Sequence, residues 1–160
     1  MTRSPSSATP SRATPGSAAA VPLVDVRGPR FGAGFTSVVL AAALLTGSGW
    51  VVAVQAVVFA VGAAAGLRYA PYGVLFRTIV APRLGPVRER EPAAPPRFAQ
   101  LVGFLFAVVG AAGYLFGVPI LGAVATGLAL VAALLNAATG FCLGCELYLT
   151  ARRALPARAA

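Results

Sequence analysis

Four blocks of uncharged, mostly apolar residues fill most of the chain: Phe31–Thr46, Trp50–Leu67, Phe98–Gly117 and Pro119–Thr139. A helix rising about 1.5 Å per residue needs about 20 residues to cross a hydrocarbon layer of about 30 Å, and these blocks lie near that length. Within lipid the backbone has no water to bond, so each block must satisfy its own amides as a helix. A soluble fold fails on charge. Charged residues make up 11% of the chain and hydrophobic residues 58%, whereas soluble domains carry about 25% charged residues. The predicted class is all-α integral membrane: four transmembrane helices as two helical hairpins, turned at Gly47–Gly49 and Gly117–Pro119.

The arginines orient this arrangement. The 13 basic residues are all Arg. Arg3, Arg12, Arg27 and Arg30 precede the first block, and Arg68, Arg77, Arg83, Arg88, Arg90 and Arg97 lie between the second and third. Arg152, Arg153 and Arg158 follow the fourth, and the two turns hold none. Cytoplasmic loops carry the excess of basic residues, so both termini and the middle connection are predicted to be cytoplasmic. The expected location is a bacterial inner (cell) membrane, crossed several times, with the lipid bilayer as first partner. The net charge of +9 does not point to nucleic acid, because binding phosphates needs a solvated basic surface and these arginines flank apolar blocks.

Outside the blocks, residues 1–22 are rich in Ser, Thr, Pro and Ala and bury too little to offset ordering entropy, so a disordered tail is expected. Residues 154–160 form a second tail, leaving a membrane domain over 23–153. Phe31–Thr46 resembles a signal-peptide core in composition but begins far into the chain. Tyr72, Leu75, Phe76 and Ile79 recur at helical spacing within 69–80, as in an amphipathic segment lying in the headgroup layer. Residues 81–97 read as a mobile, Pro-rich connection. A faint repeat links "GPRFGAGFTSVVLAAAL" from Gly28 with "PPRFAQLVGFLFAVVGA" from Pro95. It reads either as a parallel repeat about an axis along the membrane normal or as two hairpins that each need a juxtamembrane arginine. Gly62 and Gly66 permit close helix approach, within the chain or along a homodimer seam.

Much chemistry is excluded by composition. The chain has no His, which removes ordinary Ser–His and Cys–His pairs, and no Lys, which removes a Schiff base. Its four acidic residues, Asp25, Glu89, Glu91 and Glu146, all lie outside the blocks, so no membrane-buried proton carrier is expected. What remains is the pair Cys142 and Cys145. The fourth block covers about 31 Å from Pro119, which brings both sulfurs to the inner face, where thiols stay reduced. Residues three apart share a helix face and fit the Cα window of a disulfide. Reactivity then depends on the thiolate. If the fourth helix continued, the pair would sit at its negative end. The expectation is instead a break near Gly140, with Thr139 as N-cap of an interfacial helix over 140–153 and Cys142 in its first turn, where the positive end favours the thiolate. Arg152 and Arg153 would help only by folding back, and Glu146 opposes. Gln100 and Asn136, at the inner ends of the third and fourth blocks, are candidate partners for a sulfur or substrate, or else helix glue. Gln55, nearer the outer end, reads as glue. Two cysteines fall short of the four ligands of structural zinc unless a dimer supplies the rest. No cofactor or metal is expected. The bland reading is a pair of small buried hydrophobes.

"VDVRGPRF", "PYGVLFR", "PPRFAQ" and "FCLGCELY", in this order around the four blocks, resemble a bacterial membrane family known as domain-of-unknown-function family 4395. The likeness runs from about Val24 to Arg153. The resemblance implies no established activity. Genes of that family often lie near thioredoxin-like and sulfurtransferase genes, which implies thiol or sulfane-sulfur traffic through Cys142 and Cys145. The expected function is a small membrane dithiol protein exchanging electrons or sulfane sulfur with a thioredoxin-like or sulfurtransferase partner, not a stand-alone enzyme. Two alternatives stand beside it: a transporter or channel subunit, and a membrane anchor or scaffold with inert cysteines that docks partners at the Arg-rich middle connection.

Overall fold

Helices follow the apolar blocks but not their edges. A computed structural model describes residues 22–87 and 89–154. The tails expected over 1–21 and 155–160 lie outside the described residues, as does Arg88. In chain order come strand β1 (Leu23–Asp25), helices α1 (Arg27–Thr46), α2 (Gly49–Ala64) and α3 (Pro71–Leu75), a π turn Phe76–Val80, a 3-10 turn Ala81–Arg83, strand β2 (Arg90–Pro92), and helices α4 (Ala94–Leu115), α5 (Pro119–Thr139) and α6 (Leu143–Ala154). α1 and α4 start ahead of Phe31 and Phe98 because Pro29, Pro95 and Pro96 fall in the first turn, where a missing N–H breaks no helical bond. α2 ends at Ala64 rather than Leu67, and its 16 residues make it the shortest of the four long apolar helices. α1, α4 and α5 are each long and apolar enough to cross a membrane, as in a multi-pass membrane protein.

α2 packs on α4, α1 on α5, and α4 on α5. The core is built from small and medium side chains: Leu40, Ala43, Val52, Ala56, Phe59, Ala107 and Ala111. Helices approach closely where side chains are missing. A Cβ on Gly113 would lie 2.8 Å from the Cα of Gly122, which is how small residues promote helix contact where lipid supplies no hydrophobic drive. Gly62 is spent in the same way, with the Gln100 carboxamide 2.9 Å from where its Cβ would be. Gly66 is buried in a turn at φ 96°. Both glycines thus serve contacts and a turn within the chain, the first of the two expected uses.

The sequence repeat has a structural counterpart. β1 and β2 pair antiparallel, with Val24 directly opposite Glu91. One sequence interval separates Val24 from Glu91, the start of α1 from the start of α4, and Arg30 from Arg97. A local two-fold through the middle of the ribbon therefore relates the two halves. Each Pro-Arg-Phe arginine reaches across to the other half. Arg97 donates to the carbonyls of Ala63 and Ala64 at the end of α2, at 2.9–3.2 Å. Arg30 donates to Ala138 near the end of α5, at 3.3 Å. Both supply a cation to carbonyls that helix geometry leaves without partners. The phenylalanines of the motif stay in their own halves: Phe31 lies against Phe76 and Phe98 against Tyr148, each with ring centroids 5.7 Å apart. These contacts gather the starts of α1 and α4, the ends of α2 and α5, and the segments after them at one end of the molecule. The turns after α1 and α4 meet at the other end, where Leu115 and Tyr114 crowd Gly49.

Two expectations change. The stretch 81–97, expected as a mobile connection, contains β2 and the first turn of α4. It is also tied to α1 by Arg27, which donates to the carbonyl of Gly85 at 3.3 Å. The segment 69–80 reaches into the helices rather than lying flat on them. The Tyr72 hydroxyl donates to Gln55 Oε1 at 2.6 Å, and Gln55 Nε2 donates to Thr36 Oγ1 at 3.5 Å. The Tyr72 ring lies 4.8 Å from Phe35. Gln55 is 1% exposed and sits near the middle of α2. It ties α1, α2 and α3 together, helix glue as expected, from the middle of α2 rather than from its outer end.

A candidate dithiol site

The site is made by a chain reversal. α5 stops at Gly140, whose φ of 79° is one that a side chain would strain. The Gly140 N–H donates to the carbonyl of Asn136 at 2.9 Å. Thr139, the expected N-cap, does not cap the next helix. Its hydroxyl donates back to Leu135 at 2.7 Å and accepts the Phe141 N–H at 3.1 Å, so it staples the turn. α6 begins at Leu143, and the Cys142 carbonyl accepts the Glu146 N–H at 3.1 Å. Cys142 is therefore the N-cap residue itself, just ahead of the first turn rather than within it as expected, and Cys145 is the third residue of the helix.

That placement separates the two thiols. An N-cap side chain faces the free N–H groups of the second and third helical residues, here Gly144 and Cys145. The Cys142 thiol is lowered to about 7, first by hydrogen bonding from the Cys145 side chain and then, against the cost of burial, by the backbone N–H groups of Cys145 and Gly144. Cys145 is pushed up, chiefly because it keeps the proton it shares with Cys142, with burial and the charge of Glu91 and Glu146 adding to the effect. Both cysteines are free and half-buried. The pair thus sets a thiol lowered towards neutral pH beside one that holds its proton more tightly.

α6 is held against the start of α4. A Cβ on Gly144 would lie 2.6 Å from both the Cα and the Cβ of Ala99, so only a glycine lets the two backbones meet here. Arg30 closes the other side of the turn, its guanidinium carbon 3.6 Å from where a Gly140 Cβ would be. Arg152 and Arg153 do not fold back; they lie in the last turn of α6, and Arg152 covers the Tyr148 ring at 5.9 Å. Gln100 turns towards Gly62 of α2, and its neighbour Ala99 is the α4 residue that meets the cysteine loop. Asn136 contributes its carbonyl to the Gly140 turn. Glu91 is the group that sequence reasoning missed. Burial and the nearby Glu89 raise its pKa, and its charge bears on both sulfurs. The sequence places it in a mobile, Pro-rich connection, and the pairing of β2 with β1 fixes it here.

A family model described as a domain of unknown function, family 4395, matches residues 24–153. No curated protein and no solved structure matches the chain.

Proposed function

The chain belongs to domain-of-unknown-function family 4395, and from that premise we propose a small, multi-pass membrane dithiol protein. In this reading α1, α2, α4 and α5 are four spans in two hairpins, with both termini, the middle connection and the cysteines on the cytoplasmic flank. The positive-inside distribution of arginine supports that orientation. The 16 residues of α2 cover about 24 Å, and local thinning or flanking residues accommodate the shortfall.

Cys142 acts as the attacking thiol and Cys145 as the resolving thiol. With a disulfide-bearing, thioredoxin-like partner, the Cys142 thiolate attacks one partner sulfur. The partner's S–S bond breaks, a mixed disulfide forms and the other partner sulfur leaves as thiolate. Cys145 then gives up its proton and attacks the Cys142 sulfur, so the partner departs reduced and this chain is left with a Cys142–Cys145 disulfide, two electrons poorer. With a persulfide-bearing sulfurtransferase, Cys142 attacks the sulfane sulfur and the partner leaves as a thiolate, with no net redox change. The single observation behind this reading is the N-cap position of Cys142, with Cys145 in the first turn of the same helix.

The test is equilibration of the purified protein in defined thiol–disulfide buffers, read by alkylation and mass, with a matched persulfide donor. A reversible Cys142–Cys145 disulfide or a Cys142 persulfide is expected. If neither forms in any buffer, the reading is lost. Labelling of either cysteine in whole cells by a membrane-impermeant maleimide would reverse the orientation.

A further inference from the structure

A cavity of about 300 Å³ lies between the β ribbon, the start of α1, α3 and the inner turns of α2 and α4, away from the sulfurs. At its rim are Arg68, Arg77 and Arg90. One acidic residue, Asp25, also lines it. That carboxylate is already used: Arg27 grips both oxygens at 2.9–3.1 Å, and the same arginine holds its pKa below the ordinary value. Among the described residues this is the only ion pair, so the rim keeps three guanidinium groups without a carboxylate. Arg77 spends one of its five donors on the Arg68 backbone carbonyl and keeps most donors unspent, while the Arg68 guanidinium lies over the Tyr69 ring at 4.7 Å.

Below the rim the lining turns apolar. Phe76 and Val58 form the walls, and Gln100 adds an amide at depth. Val58 lies about 9 Å up α2 from Ala64, at 1.5 Å per residue. The cavity thus runs from a cationic mouth, level with the helix ends, to an apolar interior. Its volume equals about ten waters, enough for a small headgroup with a short length of chain.

We infer that this cavity binds the phosphate headgroup and first carbons of an anionic phospholipid. Arginine forks match phosphate oxygens in bidentate geometry, and the change from charged rim to apolar depth matches an amphiphile rather than a fully polar solute. The inference rests on the membrane placement proposed above, and not on the thiol chemistry.

Native mass spectrometry of the delipidated, detergent-solubilised full chain tests it. Phosphatidylglycerol, phosphatidylcholine and glycerol 3-phosphate serve as probes, and thiol alkylation is followed in parallel. Phosphatidylglycerol is expected to bind more tightly than phosphatidylcholine. Each of Arg68→Gln, Arg77→Gln and Arg90→Gln should weaken it about fivefold, while thiol alkylation stays unchanged. Gly28→Leu, which points a side chain into the cavity beside Phe76, should abolish the preference for phosphatidylglycerol without touching a charge. Equal binding of the two lipids overturns the proposal. So does an Arg68→Gln, Arg77→Gln, Arg90→Gln triple variant that keeps its preference. If glycerol 3-phosphate displaces the lipid at equal concentration, the site reads a free phosphate ester and the lipid assignment is overturned. Because Arg90 is exposed, its single variant gives a reading even if the triple variant fails to fold.

Discussion

The segments that follow the two return helices occupy equivalent places and do different work. After α2, the chain turns at Gly66, and α3 lies against α1 with Gly32 facing Tyr72 and Phe31 facing Phe76. After α5, it turns at Gly140, and α6 lies against α4 with Ala99 facing Gly144 and Phe98 facing Tyr148. Ala70 is the N-cap of α3, and Cys142 is the N-cap of α6. The first segment drives a tyrosine hydroxyl into the helices and locks onto Gln55. The second stays at the helix ends and presents a thiol. A repeated scaffold can thus hold a structural anchor in one copy and a chemical group in the other, because the N-cap position exposes a side chain to backbone donors whether or not that side chain is reactive.

Substitutions can break this comparison, and the largest effect should come from the tightest contact. Gly144→Ala puts a methyl group into the backbone of Ala99 and should cost about 3 kcal/mol of stability, the upper end for overpacking. Gly32→Ala, whose Cβ would meet Tyr72 at an ordinary 3.7 Å, should leave stability within about 0.5 kcal/mol. Thermal unfolding in one detergent reads both; equal melting points would dissolve the distinction. Next comes reactivity. With a pKa of about 7, Cys142 should hold about 15 times the thiolate of an ordinary cysteine of pKa ~8.5 at neutral pH and, because a less basic thiolate is less nucleophilic, alkylate about threefold faster. Its thiolate is lost as pH falls through 7, so the rate should drop about tenfold per unit below that. Cys145→Ala removes the main cause of the lowered pKa and should move the midpoint upwards. A pH profile of mass-resolved alkylation checks both claims.

The two capping arginines sharpen the comparison further. Arg97→Gln removes three bonds to two carbonyls and should cost about 1.5 kcal/mol, whereas Arg30→Gln removes one longer bond and should cost about half that. Chemical or thermal unfolding of the pair tests the ranking. Tyr72→Phe leaves the buried Gln55 oxygen without its donor and should cost about 0.5 kcal/mol, the low end for a lost hydrogen bond and the smallest loss expected. The cost should vanish in Tyr72→Phe combined with Gln55→Leu, a double-mutant comparison readable by the same unfolding assay.

How much of this was legible depended on range. The apolar blocks, the Pro-Arg-Phe repeat and the break at Gly140 are local signals, and the helices and turn appear where those signals stand. The N-cap shifted from Thr139 to Cys142 because Thr139 finds closer partners in Leu135 and Phe141, a competition between hydrogen bonds that spacing does not rank. The pairing of Leu23–Asp25 with Arg90–Pro92 carries no periodicity in three residues, so neither the ribbon nor the approach of Glu91 to the sulfurs could be read. Gln55 and Tyr72 were each visible as a polar group in an apolar run. Only their meeting was hidden.

The crossed arginine caps bear on how the molecule is made. Synthesis proceeds from one end, so α2 is finished while Arg97 is still to be added, and Arg30 waits longer still for Ala138. Until Arg97 is made, the carbonyls of Ala63 and Ala64 have no cation. The first cap can close once α4 is made, but the second needs α5, so the two halves are joined on both sides only when the last long helix is present.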